Sequence, residues 1–219
     1  MRGKRFLLLL SLLLAASSMY GSLAVVTLTS FNQGQWQLGY PYKATINFIP
    51  NISVMCNDWN HGGLPGDTWI ARTTNLGSGD TSNLRFNQSA AALVRYKEAG
   101  YILLSTPLVP SNQYTGMNQA VWHILTPSAP MTDPFATIWY TRAQQAALLG
   151  FPGVPFDLVT ILTPLNQHDP DPHSPQEMMT LFPVPFGSPT GGPATPEPST
   201  LVLLATGLSG FGFARWRRR

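Results

Sequence analysis

Residues 52–58 have the sequence Ile52-Ser53-Val54-Met55-Cys56-Asn57-Asp58. Side chains alternate between the two faces of an extended chain, so Ile52, Val54 and Cys56 share one face. We therefore predict that residues 44–56 are strand-forming, with an interruption at Pro50, and that Cys56 points inward. Cys56 is the single cysteine of the chain. The protein consequently has no internal disulfide, and its core must be stable without one.

Around this stretch, the pattern predicts strands near both ends of the folded region and helices between them. Besides 44–56, the predicted strands are residues 25–31, a short one at 69–71, 156–162 and 177–182. The predicted helices are residues 89–104, 117–125 and 141–149, the last with a capping box of Thr141 and Gln144. We therefore predict a single β-rich α+β domain with about three short helices, spanning residues 25–182.

A second stretch, Tyr114-Thr115-Gly116-Met117-Asn118-Gln119-Ala120-Val121-Trp122-His123, follows Cys56 by some sixty residues. Together with the cysteine, this order resembles the thioester domains of bacterial surface adhesins. In that family, a strand cysteine is joined to a glutamine in a helix with the pattern Thr-Gln-x-Ala-Ile/Val-Trp. The resemblance implies an acyl thioester that reacts with an amine of a surface protein.

The register of the helix leaves two candidates for the partner of Cys56. If residues 120–122 are aligned with the family's Ala-Ile/Val-Trp, Asn118 occupies the glutamine position. Gln119 is one residue later, about 100° around the helix. Two other interpretations are a buried, inert Cys56 and a cysteine hydrolase that uses Cys56 and His123.

The C-terminal residues combine three features in a fixed order. Pro196-Glu197-Pro198 is followed by an apolar run from Leu201 to Ala214 and by Arg215, Trp216, Arg217, Arg218 and Arg219. At ~1.5 Å per helical residue this run spans roughly 21 Å, less than the ~30 Å hydrocarbon core of a bilayer. A terminal arginine cluster with a tryptophan is nevertheless typical of a membrane segment whose charges stay in the cytoplasm.

This order resembles the PEP-CTERM sorting signal of Gram-negative bacteria, with residues 196–219 as the signal. The resemblance implies an exosortase as a partner, transient insertion in the inner membrane, and delivery to the cell envelope, the surface or an exopolysaccharide matrix. Residues 183–195, rich in proline and glycine, are predicted to be a spacer between the domain and the signal.

The N-terminus has the pattern of a secretory signal peptide. Basic residues at 2, 4 and 5 precede an apolar run from Phe6 to Ala16 and small residues up to Ala24. We predict cleavage by signal peptidase after Ala24, with Ser18 as the alternative. A signal peptide over residues 1–24 agrees with export.

Charge excludes a nucleic-acid partner. Seven of the 13 Lys and Arg residues lie in the two targeting ends, which leaves six against all 10 acidic residues, Glu197 included, and a net charge of −4. No basic cluster survives in the domain. Residues 168–173 contain two histidines and two aspartates, but alternate prolines separate these side chains, so we predict a solvated loop and no metal site or other cofactor. The expected function is a non-catalytic structural or adhesive role at the cell surface; we do not expect an enzyme.

Overall fold

The computed structural model describes residues 23–30, 40–166 and 175–181. Within these residues the strands are β1 Leu23–Ser30, β2 Tyr42–Ile46, β3 Ile49–Cys56, β4 Thr68–Asn75, β5 Thr160–Pro164 and β6 Met178–Thr180. The α-helices in the same residues are α1 Ala92–Ser105, α2 Tyr114–Leu125 and α3 Pro134–Leu148.

The strands form a closed antiparallel barrel in the order β1-β2-β3-β6-β5-β4, in which β1 pairs with β4. The β2–β3 hairpin turns at Asn47 and Phe48, which have φ values of 48° and 68°. Positive φ at both turn positions matches the right-handed twist of a two-residue hairpin. The Asn47 side chain also accepts a hydrogen bond from Val25 N–H at 2.9 Å, which fixes the turn to β1.

Two apolar clusters fill the domain. Alternate residues of the strands fill the barrel interior, among them Val26, Ala44, Val54, Ala71 and Leu162. The other face of β3, β5 and β6 packs against the three helices through Met55, Ile161 and Met179. β3 is therefore buried on both faces in its second half, because the barrel covers one face and the helices cover the other.

The β-rich domain with three helices is confirmed, while several predicted element bounds were wrong, the largest differences being the following. Helix α3 begins at Pro134 and not at Thr141, because Asp133 caps it by accepting from Phe135 N–H at 2.8 Å and proline suits the first turn. Residues 156–158 form a 3-10 turn, so the predicted strand starts only at Thr160. Residues 44–56 belong to two strands that are divided at Asn47 and Phe48 and not at Pro50, which lies within β3.

The predicted signal peptide and the sorting motif lie largely outside the described residues. In the part of the chain that the structure describes, no helix is long and apolar enough to cross a bilayer; residues 201–214 are not in that part. Leu23 and Ala24 belong to β1 and pair with Arg72 and Ala71 of β4. Signal cleavage after Ala24 stays a prediction.

Candidate functional site

Cys56 is the last residue of β3 and faces the barrel interior, as its alternation pattern predicts. Its side chain is 1% exposed and packs in the cluster that contains Val54, Trp122 and Met178. The thiol donates a hydrogen bond to the carbonyl oxygen of Asp58 at 3.2 Å. The sulfur therefore lies inside the closed barrel, out of contact with solvent.

This environment keeps the thiol protonated. Burial raises the pKa of Cys56 to about 12, and the negative charge of Asp58 acts in the same direction. The hydrogen bond with Asp58, the Trp122 indole and the Arg85 charge oppose the shift without reversing it. Because the thiolate is the reactive form of cysteine, Cys56 is a poor nucleophile at neutral pH in this state.

Helix α2 places Asn118 and Trp122 beside Cys56, since residues four apart share a helix face. Asn118 is fully buried, and its Nδ2 donates to the Cys56 carbonyl oxygen at 3.3 Å. Within the described residues, the Oδ1 atom of Asn118 is buried and has no hydrogen-bond partner. Trp122 belongs to the barrel cluster, and its ring lies 5.0 Å from that of Trp59.

Gln119 faces a different part of the molecule. Its Oε1 accepts from the backbone N–H groups of Thr132 and Asp133, both at 2.8 Å, and its Nε2 donates to Thr132 Oγ1 at 3.1 Å. These bonds fix the loop that leads into α3. The two candidates that the sequence left open therefore differ in their contacts: Asn118 bonds to the Cys56 backbone, whereas Gln119 bonds to Thr132 and Asp133.

The described contacts of His123 are with Ala129 and Tyr140 and do not include Cys56. Its Nδ1 lies 2.9 Å from the Ala129 carbonyl oxygen, and its ring packs edge-on against Tyr140 at 5.2 Å. Cys56, in contrast, contacts Asp58 and the residues of the barrel interior. The hydrolase interpretation therefore gains no support from the contacts of its two residues.

A buried carboxylate, missed by sequence reasoning, lies next to this site. Glu177 is fully buried and accepts four hydrogen bonds. The donors are Asn57 Nδ2 (2.7 Å), Tyr96 OH (2.5 Å), Arg85 N–H (2.9 Å) and Thr163 Oγ1 (2.5 Å). Burial raises the pKa of Glu177, and the hydrogen bonds and the Arg85 charge oppose that shift. One side chain thus joins β5, α1 and the loops that follow β3 and β4.

Asp58 forms the second half of this network. Its carboxylate pairs with the Arg85 guanidinium and lies 2.8 Å from Nδ1 of His61. Arg85 also donates to the Pro175 carbonyl oxygen at 3.1 Å. The network fixes Asn57 and Asp58, the two residues directly after Cys56. The motif that marks Cys56 includes Asp58, but no local pattern distinguishes Glu177, whose partners are up to 120 residues away.

No three His, Cys, Asp or Glu side chains of residues 23–30, 40–166 and 175–181 are grouped so that they could hold a metal ion. The 168–173 segment with its two histidines lies outside these ranges.

The PEP-CTERM protein-sorting motif matches residues 194–219. The chain therefore carries this sorting motif, in agreement with the resemblance of residues 196–219. The motif indicates an exported protein that an exosortase handles at the membrane. Its residues are outside the described part of the chain.

Among solved structures, the chain is similar to the N-terminal thioester domain of fibronectin-binding protein SfbI from Streptococcus pyogenes. The identity is 9%, the TM-score is 0.44, and the match covers 74% of this chain and 93% of that chain. The neighbour is a thioester domain, the class that the order of Cys56 and α2 resembles. A similarity of this degree does not establish a shared activity. None of the curated proteins matches this chain in sequence.

Proposed function

We propose that this protein is an exported surface protein with a non-catalytic structural or adhesive role in the cell envelope or an exopolysaccharide matrix of a Gram-negative bacterium. The sorting motif at residues 194–219 carries the proposal. A signal peptide directs export. The apolar run of residues 201–214 then inserts transiently in the inner membrane, and an exosortase cleaves the protein near Pro196-Glu197-Pro198. The domain then acts outside the cytoplasm.

The state of Cys56 supports a non-catalytic role. The thiol is buried and protonated, and its pKa of about 12 is far above that of a reactive cysteine. Gln119 already uses both ends of its amide to hold the loop before α3. A Cys56–Gln119 bond would require three hydrogen bonds to break. We therefore propose that Cys56 acts as a small apolar residue of the barrel.

One observation favours a second candidate, a covalent adhesin with a Cys56–Asn118 thioester. The amide of Asn118 is buried against Cys56, and its oxygen has no hydrogen-bond partner in the described part of the chain. In that reaction the Cys56 sulfur attacks Cγ of Asn118, the thiol proton moves to the amide nitrogen, and ammonia leaves. The product would be an acyl thioester protected from water by Trp122.

Intact mass of the exported protein distinguishes the two candidates. We expect the mass of the processed sequence without a deficit and one alkylation by iodoacetamide after denaturation, because an inert thiol stays free. A deficit of one ammonia that disappears in Cys56→Ala would instead establish the thioester. The matched pair Asn118→Ala and Gln119→Ala then assigns it: loss of the deficit only in Asn118→Ala identifies Asn118.

The sorting part of the proposal has its own test. Replacement of Pro196-Glu197-Pro198 by alanines is expected to abolish tail removal, because the exosortase no longer recognises its substrate. Immunoblots of membrane and surface fractions should show the longer form retained in the membrane. Alanines at Pro183 and Pro185, in the spacer, are the matched control and should leave processing intact. Normal processing of the motif variant, or of the wild type in cells without an exosortase, would contradict the proposal.

A further inference from the structure

A cleft of about 310 Å³ lies between α1 and the end of α3, on the helical layer and separate from the barrel. Its polar lining is Tyr101, Arg142 and Gln145, and its apolar lining includes Leu149, Phe151 and Val154. The volume is at the lower end of the range for small-ligand sites. None of these residues takes part in the network around Cys56 and Glu177.

The chain reversal after α3 builds the apolar floor of this cleft. Gly150 has a φ of 73°, which ends the helix in the left-handed conformation that glycine adopts without strain. The next residue, Phe151, turns back under the cleft, where it is 9% exposed and packs edge-on against Phe156 at 5.2 Å. The floor is therefore fixed by the core and exists before any ligand binds.

Arg142 supplies a positive charge that no carboxylate of the described residues neutralises. Of the six Lys and Arg residues in these ranges, four donate hydrogen bonds to oxygen atoms: Lys43, Arg72, Arg85 and Arg95. The other two lie over aromatic rings: Lys97 is 5.4 Å from the centroid of Phe156, and Arg142 is 4.8 Å from that of Trp139. No acidic residue is in the cleft lining. In a domain with a net negative charge, this is a local site for an anionic group.

The rim is unusually apolar for a surface. Leu148 and Leu149 are 87% and 75% exposed at the end of α3. Adjacent exposed leucines beside a cleft with tyrosine and arginine are typical of protein interfaces, since Tyr and Arg are enriched among the residues that dominate binding energy. A polysaccharide would match this lining poorly, because its hydroxyl groups would face aliphatic side chains.

We propose that this cleft binds a segment of a partner protein in which a carboxylate lies next to an apolar side chain. The carboxylate accepts hydrogen bonds from Arg142, and the apolar side chain covers Leu149 and Phe151. Gln145 and Tyr101 contribute donors for the backbone of the segment. The proposal is independent of both candidate roles of Cys56 and of the tail.

The test measures binding of two capped peptides to the purified full chain in detergent micelles. The probes are acetyl-Leu-Glu-Phe-amide and its neutral counterpart, acetyl-Leu-Gln-Phe-amide, followed by chemical-shift changes in NMR spectra. We expect the acidic peptide to bind and to shift the resonances of α3, and the neutral one to bind about tenfold more weakly, because a charge-assisted hydrogen bond is lost.

Substitutions inside and outside the cleft test whether the acidic peptide binds there. Arg142→Gln and Leu149→Asn should each weaken binding of the acidic peptide about tenfold, because each removes a charged contact or a leucine contact that binding buries. Arg72→Gln and Leu158→Asn make the same chemical changes at exposed positions outside the cleft and should have no effect. Equal affinity for both peptides, insensitivity to Arg142→Gln, or binding of alginate in place of the peptides would overturn the proposal.

Discussion

Glu177→Ala is expected to lower the free energy of unfolding by about 3–5 kcal/mol, the largest effect of any single substitution considered for this protein. The variant leaves four buried donors without an acceptor: Asn57 Nδ2, Tyr96 OH, Arg85 N–H and Thr163 Oγ1. Each such donor costs roughly 1–3 kcal/mol, although the cost of burying the carboxyl group is also removed and offsets part of this loss. Urea unfolding followed by tryptophan fluorescence measures the change.

Glu98→Ala is the matched control, since Glu98 is a half-buried acidic residue of α1 outside the network. Glu98→Ala should change the free energy of unfolding by less than about 1 kcal/mol. If Glu177→Ala were as mild as Glu98→Ala, the four hydrogen bonds would not be stabilising the domain, and the role assigned to Glu177 would be wrong.

The pH dependence of the same residue has a definite sign. Burial raises the pKa of Glu177 in the folded protein above its value in the unfolded chain. Folding therefore favours proton binding at this site, so the stability from protonated Glu177 is fully present below the unfolded pKa of about 4.3 and is lost as pH rises through the folded pKa. The unfolding free energy of the wild type minus that of Glu177→Gln should accordingly become more positive as pH falls from 8 to about 4. If this value instead became more negative toward acid pH, the four hydrogen bonds would lower the pKa of Glu177 by more than burial raises it.

Gln119→Ala is expected to lower the free energy of unfolding by about 2–4 kcal/mol, or the melting temperature by about 5–15 °C. The substitution removes one acceptor that serves two backbone N–H groups, at Thr132 and Asp133. It also releases the loop that positions Asp133, the capping residue of α3. Thermal unfolding by circular dichroism measures this loss, with Gln145→Ala on the exposed face of α3 as the control.

The Gln119→Ala variant also tests whether Gln119 forms a thioester with Cys56. A structural Gln119 predicts that its alanine variant is less stable but has the same intact mass, apart from the substitution, and the same free thiol as the wild type. A variant of unchanged stability that loses an ammonia deficit would mean that Gln119, in spite of its three hydrogen bonds, is the partner of Cys56.

Sequence alone sufficed for features that depend on local pattern. Alternation placed Cys56 on the inner face of its strand, because side chains of an extended chain alternate whatever they pack against. Helical propensity located α1 and most of α2, and the sorting motif was recognised because its parts are contiguous in residues 196–219. The start of α3 could not be found from Thr141, because the helix is capped at Asp133, eight residues earlier.

Only the tertiary structure shows the closure of the barrel, the different contacts of Asn118 and Gln119, and the buried network of Glu177. Adjacent residues of a helix point about 100° apart, so the residue that faces Cys56 depends on how α2 is rotated against the barrel. That rotation is set by packing of Trp122 and by the hydrogen bonds of Gln119, both of them contacts with other elements. Glu177 has no local signature, because its donors come from four separate segments. The sequence determined the sorting motif and the candidate residues, because both depend on local pattern, and only the folded domain determined the contacts that each candidate makes.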